Sequence, residues 1–264
     1  MSAFREPRQV ASAANPLVKL LHRLVQEPGA YRRQGQLWLE GDHLVRAFLA
    51  RGGQGAHAVL PAPAWDDPTL RALALQAADV TLLAPALWAG CSSLDSPAAI
   101  GFLVDLPAVR PGALQAEASV VLDRLQDPGN VGSILRSAAA LGVRQVLALK
   151  GTVGLWSPKV LRAGMGAHFG LALHEGLQPD DLDRLGVPLV GTSSHADTLL
   201  DQAVLPDPCA WVLGHEGQGV GEPVQRRCAR TVGIPQPGGE ESLNVAAAAA
   251  VCFYESLRQR RSSA

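Results

Sequence analysis

Residues 119–136 have the sequence SVVLDRLQDPGNVGSILR. The stretch opens with a short apolar run, Val120–Leu122, and ends in small and apolar residues at helical spacing, which continue to Leu141. A continuous apolar run of this length is typical of a strand buried on both faces of a parallel sheet. The stretch therefore predicts a strand, a polar loop and a helix from about Val131 to Leu141.

The same alternation continues to the end of the chain. We expect further strands at 146–148, 169–173, 188–191, 210–213 and 231–234, and a closing helix over 242–257. Apolar strands alternating with helices predict an α/β fold, with a parallel sheet covered on both faces. Ligands of such sheets bind at the loops beyond the carboxyl ends of the strands, so those loops are the candidate site.

The first part of the chain predicts a separate small α/β domain. An apolar stripe from Leu17 to Val25 predicts a helix, and Asn15-Pro16 stands where a cap and first turn are expected. Alternating strands and helices follow, with strands at 37–39, 58–60 and 99–104 and helices at 42–49 and 69–77. Residues 107–118 contain two prolines and a glycine, which is typical of a linker. The predicted organisation is 1–106, a linker at 107–118, and 119–264.

Charge is distributed unevenly along the chain. The formal net charge is -1, which gives no global attraction to nucleic acid. Residues 1–33 nevertheless contain six basic and two acidic residues, and Arg258, Arg260 and Arg261 lie near the C-terminus. Both ends are candidate phosphate-binding surfaces, and solvated helix faces are the alternative. The six basic residues of 1–33 are Arg5, Arg8, Lys19, Arg23, Arg32 and Arg33.

Several classes of protein are disfavoured by the sequence. The four cysteines form no Cys-x-x-Cys pair and no zinc-finger spacing, so we expect no metal site and a reducing compartment. The N-terminal residues do not resemble a secretory signal. The longest apolar stretch, 245–254, is shorter than the roughly 20 residues of a membrane span. We therefore expect a cytoplasmic protein with no membrane contact.

Three strand-end loops carry candidate functional residues. In the first, Asn130 is the predicted helix cap and Arg136 lies in a small, apolar helix, with a solvent-facing arginine as the alternative. The second, 214–221, has four glycines and the carboxylate of Glu216, without the spacing of a dinucleotide or phosphate loop. The third includes Glu240 and Glu241 and opens the last helix, with Ser242 as predicted cap and Asn244 in the first turn.

Together these loops resemble the three motifs of the SpoU (TrmH-like) branch of the SPOUT RNA methyltransferases. The first motif, Asp-Pro-x-Asn-x-Gly-x-x-x-Arg, is matched by Asp127 to Arg136. The second, Leu-Gly-x-Glu-x-x-Gly, is matched by Leu213 to Gly219. The third, Ile-Pro followed by Ser-Leu-Asn-Val, is matched by Ile234-Pro235 and Ser242 to Val245.

The resemblance implies a SPOUT domain with a trefoil knot, a homodimer, and S-adenosylmethionine as methyl donor to a ribose 2'-hydroxyl of RNA. The implied catalytic and nucleotide-positioning residues are Arg136, Asn130, Glu216, Ser242 and Asn244. The implied cofactor-binding residues are Thr192, Leu213, Gly214, Gly217, Ile234, Leu243 and Val245.

The first part also resembles a ribosomal-protein-like RNA-binding domain found in some members, through Asn15 to Lys19 and Leu39 to Gly41. This favours ribosomal over transfer RNA as the substrate. One departure is Gly164, where the resemblance leads us to expect a serine near the substrate cleft. The expected RNA-binding residues are Arg8, Lys19, Arg23, Arg32, Arg33 and Arg162.

The chemistry leaves two roles open for Arg136. It loses its proton in a desolvated site and acts as a base, or it stays charged and stabilises the developing alkoxide while the proton leaves to water or phosphate. We favour the second, because guanidinium groups stay charged in nearly all proteins. Alternative functions are a non-catalytic RNA-binding or ribosome-assembly protein, a tRNA-directed 2'-O-methyltransferase, a base-modifying SPOUT enzyme and a Rossmann-type small-molecule methyltransferase.

Overall fold

The structure is a computed structural model that describes residues 6–92, 94–108, 114–238 and 242–263. The chain divides into two compact units. The first comprises 1–108 together with 156–169, and the second comprises 109–155 and 170–264. Part of the predicted linker, 109–113, and the basic residue Arg5 lie outside the described residues.

The described residues form eleven strands and nine α-helices. The strands are β1 (Arg8–Val10), β2 (Gln36–Glu40), β3 (His57–Pro61), β4 (Asp79–Leu83), β5 (Gly101–Asp105), β6 (Ser119–Leu122), β7 (Gln145–Leu149), β8 (Ala172–Leu177), β9 (Leu189–Thr192), β10 (Ala210–Leu213) and β11 (Cys228–Val232). The helices are α1 (Pro16–Gln26), α2 (Ala30–Gln34), α3 (Asp42–Ala50), α4 (Pro68–Ala74), α5 (Pro85–Trp88), α6 (Pro128–Ala140), α7 (Pro158–Gly164), α8 (Glu222–Gln225) and α9 (Val245–Ser263).

The first unit is built on a mixed five-stranded sheet in the order β1-β4-β3-β5-β2. The predicted helix at its start is α1, whose Asn15 side chain accepts a hydrogen bond from the Leu17 backbone N–H at 2.9 Å. Val18, Leu21 and Leu24 form its buried stripe. The predicted strands and helices are present, but sequence analysis missed β1 and β4, because strands of three to five residues give little periodicity.

The segment 156–169 corrects the predicted domain boundary, since it packs within the first unit rather than the second. Its Phe169 ring lies 5.4 Å from the ring of Phe48, in an edge-on arrangement, and Trp156 packs against His168. Aromatic contacts of this kind add to the area that they bury. The predicted boundary was based on prolines and glycines in the linker. Such a local pattern cannot show that a segment from the second half of the chain packs within the first unit.

Gly164 also has a packing reason within this unit. A Cβ at this position would lie 2.3 Å from Cε1 of His168, which is too close for any side chain. Both residues are buried. The imidazole of His168 therefore fills the space beside Gly164, and the absence of a serine there follows from local packing.

The second unit confirms the predicted parallel sheet. Its six strands are all parallel, in the order β11-β9-β10-β6-β7-β8. All four residues of β6 and of β10 are buried. Helices α6 and α9 pack against each other, and Trp211 of β10 donates a hydrogen bond from its indole N–H to the Ser256 hydroxyl of α9 at 2.9 Å.

Several predicted bounds in this unit were wrong, among them those of the strand expected at 231–234, which is β11, Cys228–Val232. The strand expected at 169–173 is β8, which begins at Ala172 after a 3-10 turn over Ala167–Gly170. Helix α6 begins three residues earlier than predicted, at Pro128, whose fixed φ suits a first helical position. Helix α9 begins at Val245 rather than at 242.

The central strands end level with one another at one edge of the sheet. Leu122 of β6 pairs with Leu213 of β10, and Val212 pairs with Gly191 of β9. The loops that follow these strands therefore start side by side. In the described part of the chain, no helix is both long and apolar enough to cross a membrane.

A matched pair of leucines tests whether 156–169 belongs to the core of the first unit. Leu161 of α7 is 2% exposed, whereas Leu75, just after α4, is 44% exposed. Leu161→Ala should lower the free energy of unfolding by about 2–5 kcal/mol, the usual cost of a buried leucine, and Leu75→Ala by less than about 1 kcal/mol. Urea unfolding of both variants measures this. Equal and small losses would show that α7 lies on the surface.

Candidate active site

The loop after β10, residues 214–221, folds tightly back on itself. A Cβ at Gly214 would lie 2.1 Å from the carbonyl carbon of Gly219, so only glycine permits this approach. The Gly219 N–H donates to the His215 carbonyl at 2.8 Å, and the Gly217 N–H donates to His215 Nδ1 at 3.0 Å. We call residues 214–221 the glycine loop. Its fold turns Glu216 towards the loop that follows β6.

The Glu216 carboxylate joins these two loops. It accepts hydrogen bonds at 3.2 Å from three donors: the Gln126 N–H, the Asp127 N–H and the Asn130 side-chain amide. Desolvation by partial burial would raise the pKa of this carboxyl group, but these hydrogen bonds and one from its own backbone N–H outweigh it and lower the pKa below its ordinary value. Glu216 is therefore ionised at neutral pH and holds the entry to α6 in place.

Asn130 does not cap α6 as predicted. The cap is Asp127, whose carboxylate accepts a hydrogen bond from the Asn130 backbone N–H at 2.7 Å. The helix begins at Pro128, so Asn130 is its third residue. Because an aspartate performs the capping, the Asn130 side chain is available to contact the other loops.

Asn130 connects the first loop to the third. Its side-chain oxygen accepts a hydrogen bond from the Asn244 side-chain amide at 2.9 Å. The Asn244 oxygen accepts from the N–H groups of Ala246 and Ala247 at 2.9 and 3.3 Å, which is the geometry of a helix cap. Asn244 therefore caps α9, and the prediction that Ser242 does so was wrong. The neighbouring Glu240 and Glu241 lie outside the described residues.

A cavity of about 860 Å³ opens at this edge of the sheet. Its walls are the ends of β9 and β11, the glycine loop and the entry to α9. Thr192 is the last residue of β9, and its hydroxyl donates to the Val212 carbonyl at 3.0 Å. All of the predicted cofactor-binding residues line the cavity: Thr192, Leu213, Gly214, Gly217, Ile234, Leu243 and Val245.

The predicted catalytic residues separate into two groups. Glu216, Ser242 and Asn244 also line the cavity. Asn130 and Arg136 do not, although Asn130 touches both Glu216 and Asn244. Arg136 is exposed on α6, and the structure shows no hydrogen bond or ion pair between its guanidinium and another described residue. The three motif loops thus come together, while the arginine stands outside the cavity of its own chain.

The comparisons with known proteins identify the family. The model of the SpoU rRNA Methylase family matches residues 117–254, more than half of the chain. The chain belongs to this family. An uncharacterized tRNA/rRNA methyltransferase of Synechocystis sp. is 36% identical over 260 residues, which cover 95% of this chain and 94% of that protein. The resemblance drawn from the three motifs is therefore confirmed.

Two further proteins show how the likeness is distributed along the chain. The 23S rRNA (guanosine-2'-O-)-methyltransferase RlmB of Coxiella burnetii is 39% identical over 149 residues, 55% of this chain and 60% of that protein. The chain thus matches less than two thirds of that relative's length. The crystal structure of the SpoU methyltransferase AviRb from Streptomyces viridochromogenes, in complex with AdoMet, has a TM-score of 0.86 at 25% identity. That match covers 94% of this chain and 99% of AviRb.

Some residues of the cavity were missed by sequence analysis. Ser193, Ser194 and His195 follow β9 and line the cavity, as do Gln225 and Cys228. The first three come directly after a predicted strand, so the strand-end rule used for the other loops was sufficient to find them. Cys228 has no such signal, because it lies at the start of β11 and reaches the cavity only through the pairing of β11 with β9.

The predicted RNA-binding residues differ in how available they are. Arg8, Lys19 and Arg23 are exposed on the first unit. Arg33 forms an ion pair with Glu27, and the Arg32 guanidinium lies 4.9 Å from the ring centre of Tyr31. Arg162 is half-buried on α7.

The basic C-terminal residues are largely neutralised. Arg258 pairs with Glu255 at 2.7 Å and Arg260 pairs with Asp207 at 3.1 Å. Arg261 is exposed. The structure therefore weakens the case for a phosphate-binding surface at this end of the chain.

The four cysteines lack the environment of reactive thiols. Burial raises the pKa of Cys91, Cys209 and Cys228 to about 11 and that of Cys252 to about 12. Thiolates react and thiols do not, so these side chains act as small apolar residues. Among the described residues, no three His, Cys, Asp or Glu side chains are grouped as metal ligands.

The two functions of Asn244 can be separated by substitution. Asn244→Ser keeps a capping oxygen but is too short to reach Asn130, so it should leave the thermal midpoint nearly unchanged and lower methyl transfer at least about 10-fold. Asn244→Ala should in addition lose the cap, worth about 1 kcal/mol. Thermal melts and turnover on rRNA distinguish these effects. Full activity of Asn244→Ser would show that Asn244 serves only as a cap.

The Glu216 carboxylate predicts a dependence on pH. Because its pKa is lowered in the folded protein, its contribution to stability is present above the ordinary glutamate value and is lost as the pH falls through the lowered value. Glu216→Gln should be less stable than wild type at pH 7, and the gap should narrow below about pH 4.5. Urea unfolding at pH 7 and pH 4 measures the gap. Glu222→Gln, an exposed carboxylate paired with Arg226, is the control, and a gap for Glu216→Gln that is independent of pH would contradict the assignment.

Proposed function

We propose that this protein transfers a methyl group from S-adenosylmethionine to a ribose 2'-hydroxyl of ribosomal RNA. The observation that carries the proposal is the chain of hydrogen bonds from Glu216 through Asn130 to Asn244, which joins all three motif loops beside one cavity. Ribosomal RNA is favoured over transfer RNA because RlmB of Coxiella burnetii is named for 23S rRNA.

The residues of the cavity suit S-adenosylmethionine. Its volume of about 860 Å³ lies within the usual range of small-molecule sites, and its walls combine backbone groups with a few polar side chains. Leu213, Gly214 and Ile234 would hold the donor through their backbone groups, and Leu243, which is 42% exposed, would supply an apolar contact. When bound, the donor provides a methyl group on a positively charged sulfonium, which is already electrophilic.

The side chains of this chain then have to orient and activate a sugar hydroxyl. We assign Asn130, Glu216, Ser242 and Asn244 to positioning. The hydrogen bonds of Asn130, Glu216 and Asn244 fix the loops against one another, and Ser242 lines the same cavity. Arg136 stays charged and stabilises the developing alkoxide, while the hydroxyl proton leaves to water or a phosphate oxygen. Alignment of the reacting atoms supplies much of the rate.

A homodimer is supported by the exposed face of the helices α6 and α9. On α9, Ala247, Val251 and Tyr254 form an exposed apolar stripe, with Tyr254 58% exposed. On α6, the exposed residues include Ser133, Arg136 and Ala140, and the two helices pack side by side. A second copy on this face would cover the stripe and bring Arg136 to the interface.

The remaining predictions have partial support. The Leu200 N–H donates to the Gly233 carbonyl at 2.8 Å and the Gly233 N–H to the Thr198 carbonyl at 2.9 Å, so the segments after β9 and β11 run against each other. This contact is compatible with the trefoil knot that the family resemblance implies. The exposed Arg8, Lys19 and Arg23 support RNA binding by the first unit. A cytoplasmic location stays a prediction.

Arg136→Ala tests the chemistry. The variant should bind S-adenosylmethionine as wild type does but transfer methyl groups at least about 100-fold more slowly, since charge-stabilising contacts are typically worth that much. Calorimetry with the donor and radiolabel transfer to rRNA lacking 2'-O-methylation measure the two steps. Arg144→Ala, another exposed arginine of the same unit, is the control.

Two outcomes would count against the proposal. Near-normal transfer by Arg136→Ala would remove this residue from the mechanism. Wild-type protein that binds rRNA but neither binds the donor nor transfers a methyl group would favour the RNA-binding or ribosome-assembly alternative.

A further inference from the structure

Arg124 adopts a backbone conformation that L-residues disfavour. Its φ is +60°, and among the described residues only Met165 shares a positive φ without being a glycine. The residue lies two positions beyond the end of β6, at the carboxyl edge of the sheet. Glycine would adopt this conformation without strain, whereas an arginine here needs surrounding contacts that hold it in place.

The backbone of Arg124 is held in place by a threonine. Its N–H donates to the Thr152 hydroxyl at 3.0 Å, and that hydroxyl donates to the Leu122 carbonyl at 2.9 Å. The turn is thus fixed from the side of β7, independently of the guanidinium. This arrangement aims the side chain across the sheet edge at the loop that follows β10.

The guanidinium binds the glycine loop from outside the cavity. Its Nη1 donates to the Gln218 side-chain oxygen at 3.0 Å, and its Nη2 donates to the Gly219 carbonyl at 3.5 Å. Both residues line the cavity. Arg124 therefore binds two residues of the cavity wall without itself lining the cavity.

Asp123 completes the grip. Its carboxylate is almost fully buried, accepts a hydrogen bond from Arg124 Nε at 3.0 Å, and accepts another from the Gly221 N–H at 2.6 Å. A Cβ at Gly221 would lie 3.0 Å from Arg124 Nη2 and 3.1 Å from the Asp123 carboxylate. The close approach of the three groups therefore explains a glycine at this position, whose φ of -67° requires none.

We propose that Asp123 and Arg124 are positioning residues that clamp the glycine loop in its cofactor-binding shape. The inference rests on the proposed S-adenosylmethionine site. A loop with four glycines in eight residues has many conformations to lose on binding a ligand. Fixing Gln218, Gly219 and Gly221 in advance removes part of that loss, so the clamp raises affinity for the donor without touching it.

Arg124→Gly is the decisive variant, because it removes the guanidinium and relieves the backbone strain together. We expect its thermal midpoint to stay within a few degrees of wild type and its Kd for S-adenosylmethionine to rise about 10-fold. KM for the donor should rise in parallel, while kcat at saturating donor changes less than about 3-fold, as expected when binding alone is affected. Arg124→Lys should recover part of the affinity, since an ammonium cannot reproduce the planar fork.

Hydrogen exchange provides a readout that does not need the donor. In Arg124→Gly without ligand, the amides of Gly219 and Gly221 should exchange at least about 10-fold faster than in wild type, with no change in the amides of α9. Arg226→Ala, an exposed arginine just after α8 with only a local ion pair, is the matched control and should change neither exchange nor affinity.

The outcomes separate the clamp from the function. Wild-type protein that fails to bind S-adenosylmethionine would overturn the proposed function, and the exchange data would still decide whether the clamp exists. Wild-type binding together with unchanged affinity and exchange in Arg124→Gly would overturn the clamp alone. If Arg124→Gly does not fold, Arg124→Lys decides, and wild-type affinity and exchange in that variant would overturn the proposal.

Discussion

The site depends on one carboxylate, Glu216, that joins the loops following two neighbouring strands. Strands β6 and β10 are adjacent and end in register at Leu122 and Leu213, so their loops leave the sheet side by side. Glu216 in one loop accepts two backbone N–H groups and the Asn130 amide of the other. Hydrogen bonds to an ionised acceptor are stronger than neutral ones, and here they satisfy donors at the entry to α6. Asp123 and Arg124 tie the same two loops together at their other end, through Gly221, Gln218 and Gly219, but Glu216 is the side chain that ties the glycine loop to the entry of α6.

The third loop is joined to the other two through the first. Asn244 caps α9 with its oxygen and uses its amide to bind Asn130, which in turn binds Glu216. An asparagine suits this position because it offers an acceptor and a donor on one rigid group. Aspartate lacks the donor and serine is too short to span the gap. The hydrogen bonds from Asn244 through Asn130 therefore make the start of α9 sensitive to whether the Glu216 carboxylate is ionised.

Much of this arrangement was predictable from the sequence. The apolar runs that became β6, β7 and β10 are short and uninterrupted, which is the pattern of central parallel strands, and the first two motif loops follow β6 and β10. The third follows the edge strand β11. Because carboxyl ends meet at one edge, the three loops had to converge. The cofactor-binding residues were predicted from the family resemblance, and all of them line one cavity.

The predictions that failed concern which side chain caps each helix and which distant segments contact each other. Asp127 and Asn130 are both good caps, and only the start of α6 at Pro128 shows that the aspartate caps and the asparagine is free for the network. Ser242 and Asn244 present the same ambiguity. The placement of 156–169 and the grip of Arg124 on Gln218 are contacts between segments distant in sequence, and neither has a local pattern.

The exposed position of Arg136 has to be reconciled with its proposed role in methyl transfer. In the single chain Arg136 is exposed, and guanidinium groups stay charged in nearly all proteins. To act as a base, Arg136 would have to be buried away from any anion. Its small and apolar neighbours on α6 and α9 would bury it only if a partner chain covered them. A charge-stabilising role needs only that the guanidinium reach the sugar oxygen, and it becomes stronger as water is excluded. We therefore favour charge stabilisation, and in the homodimer proposed above a second copy of the chain would provide the dry surroundings in which that charge acts.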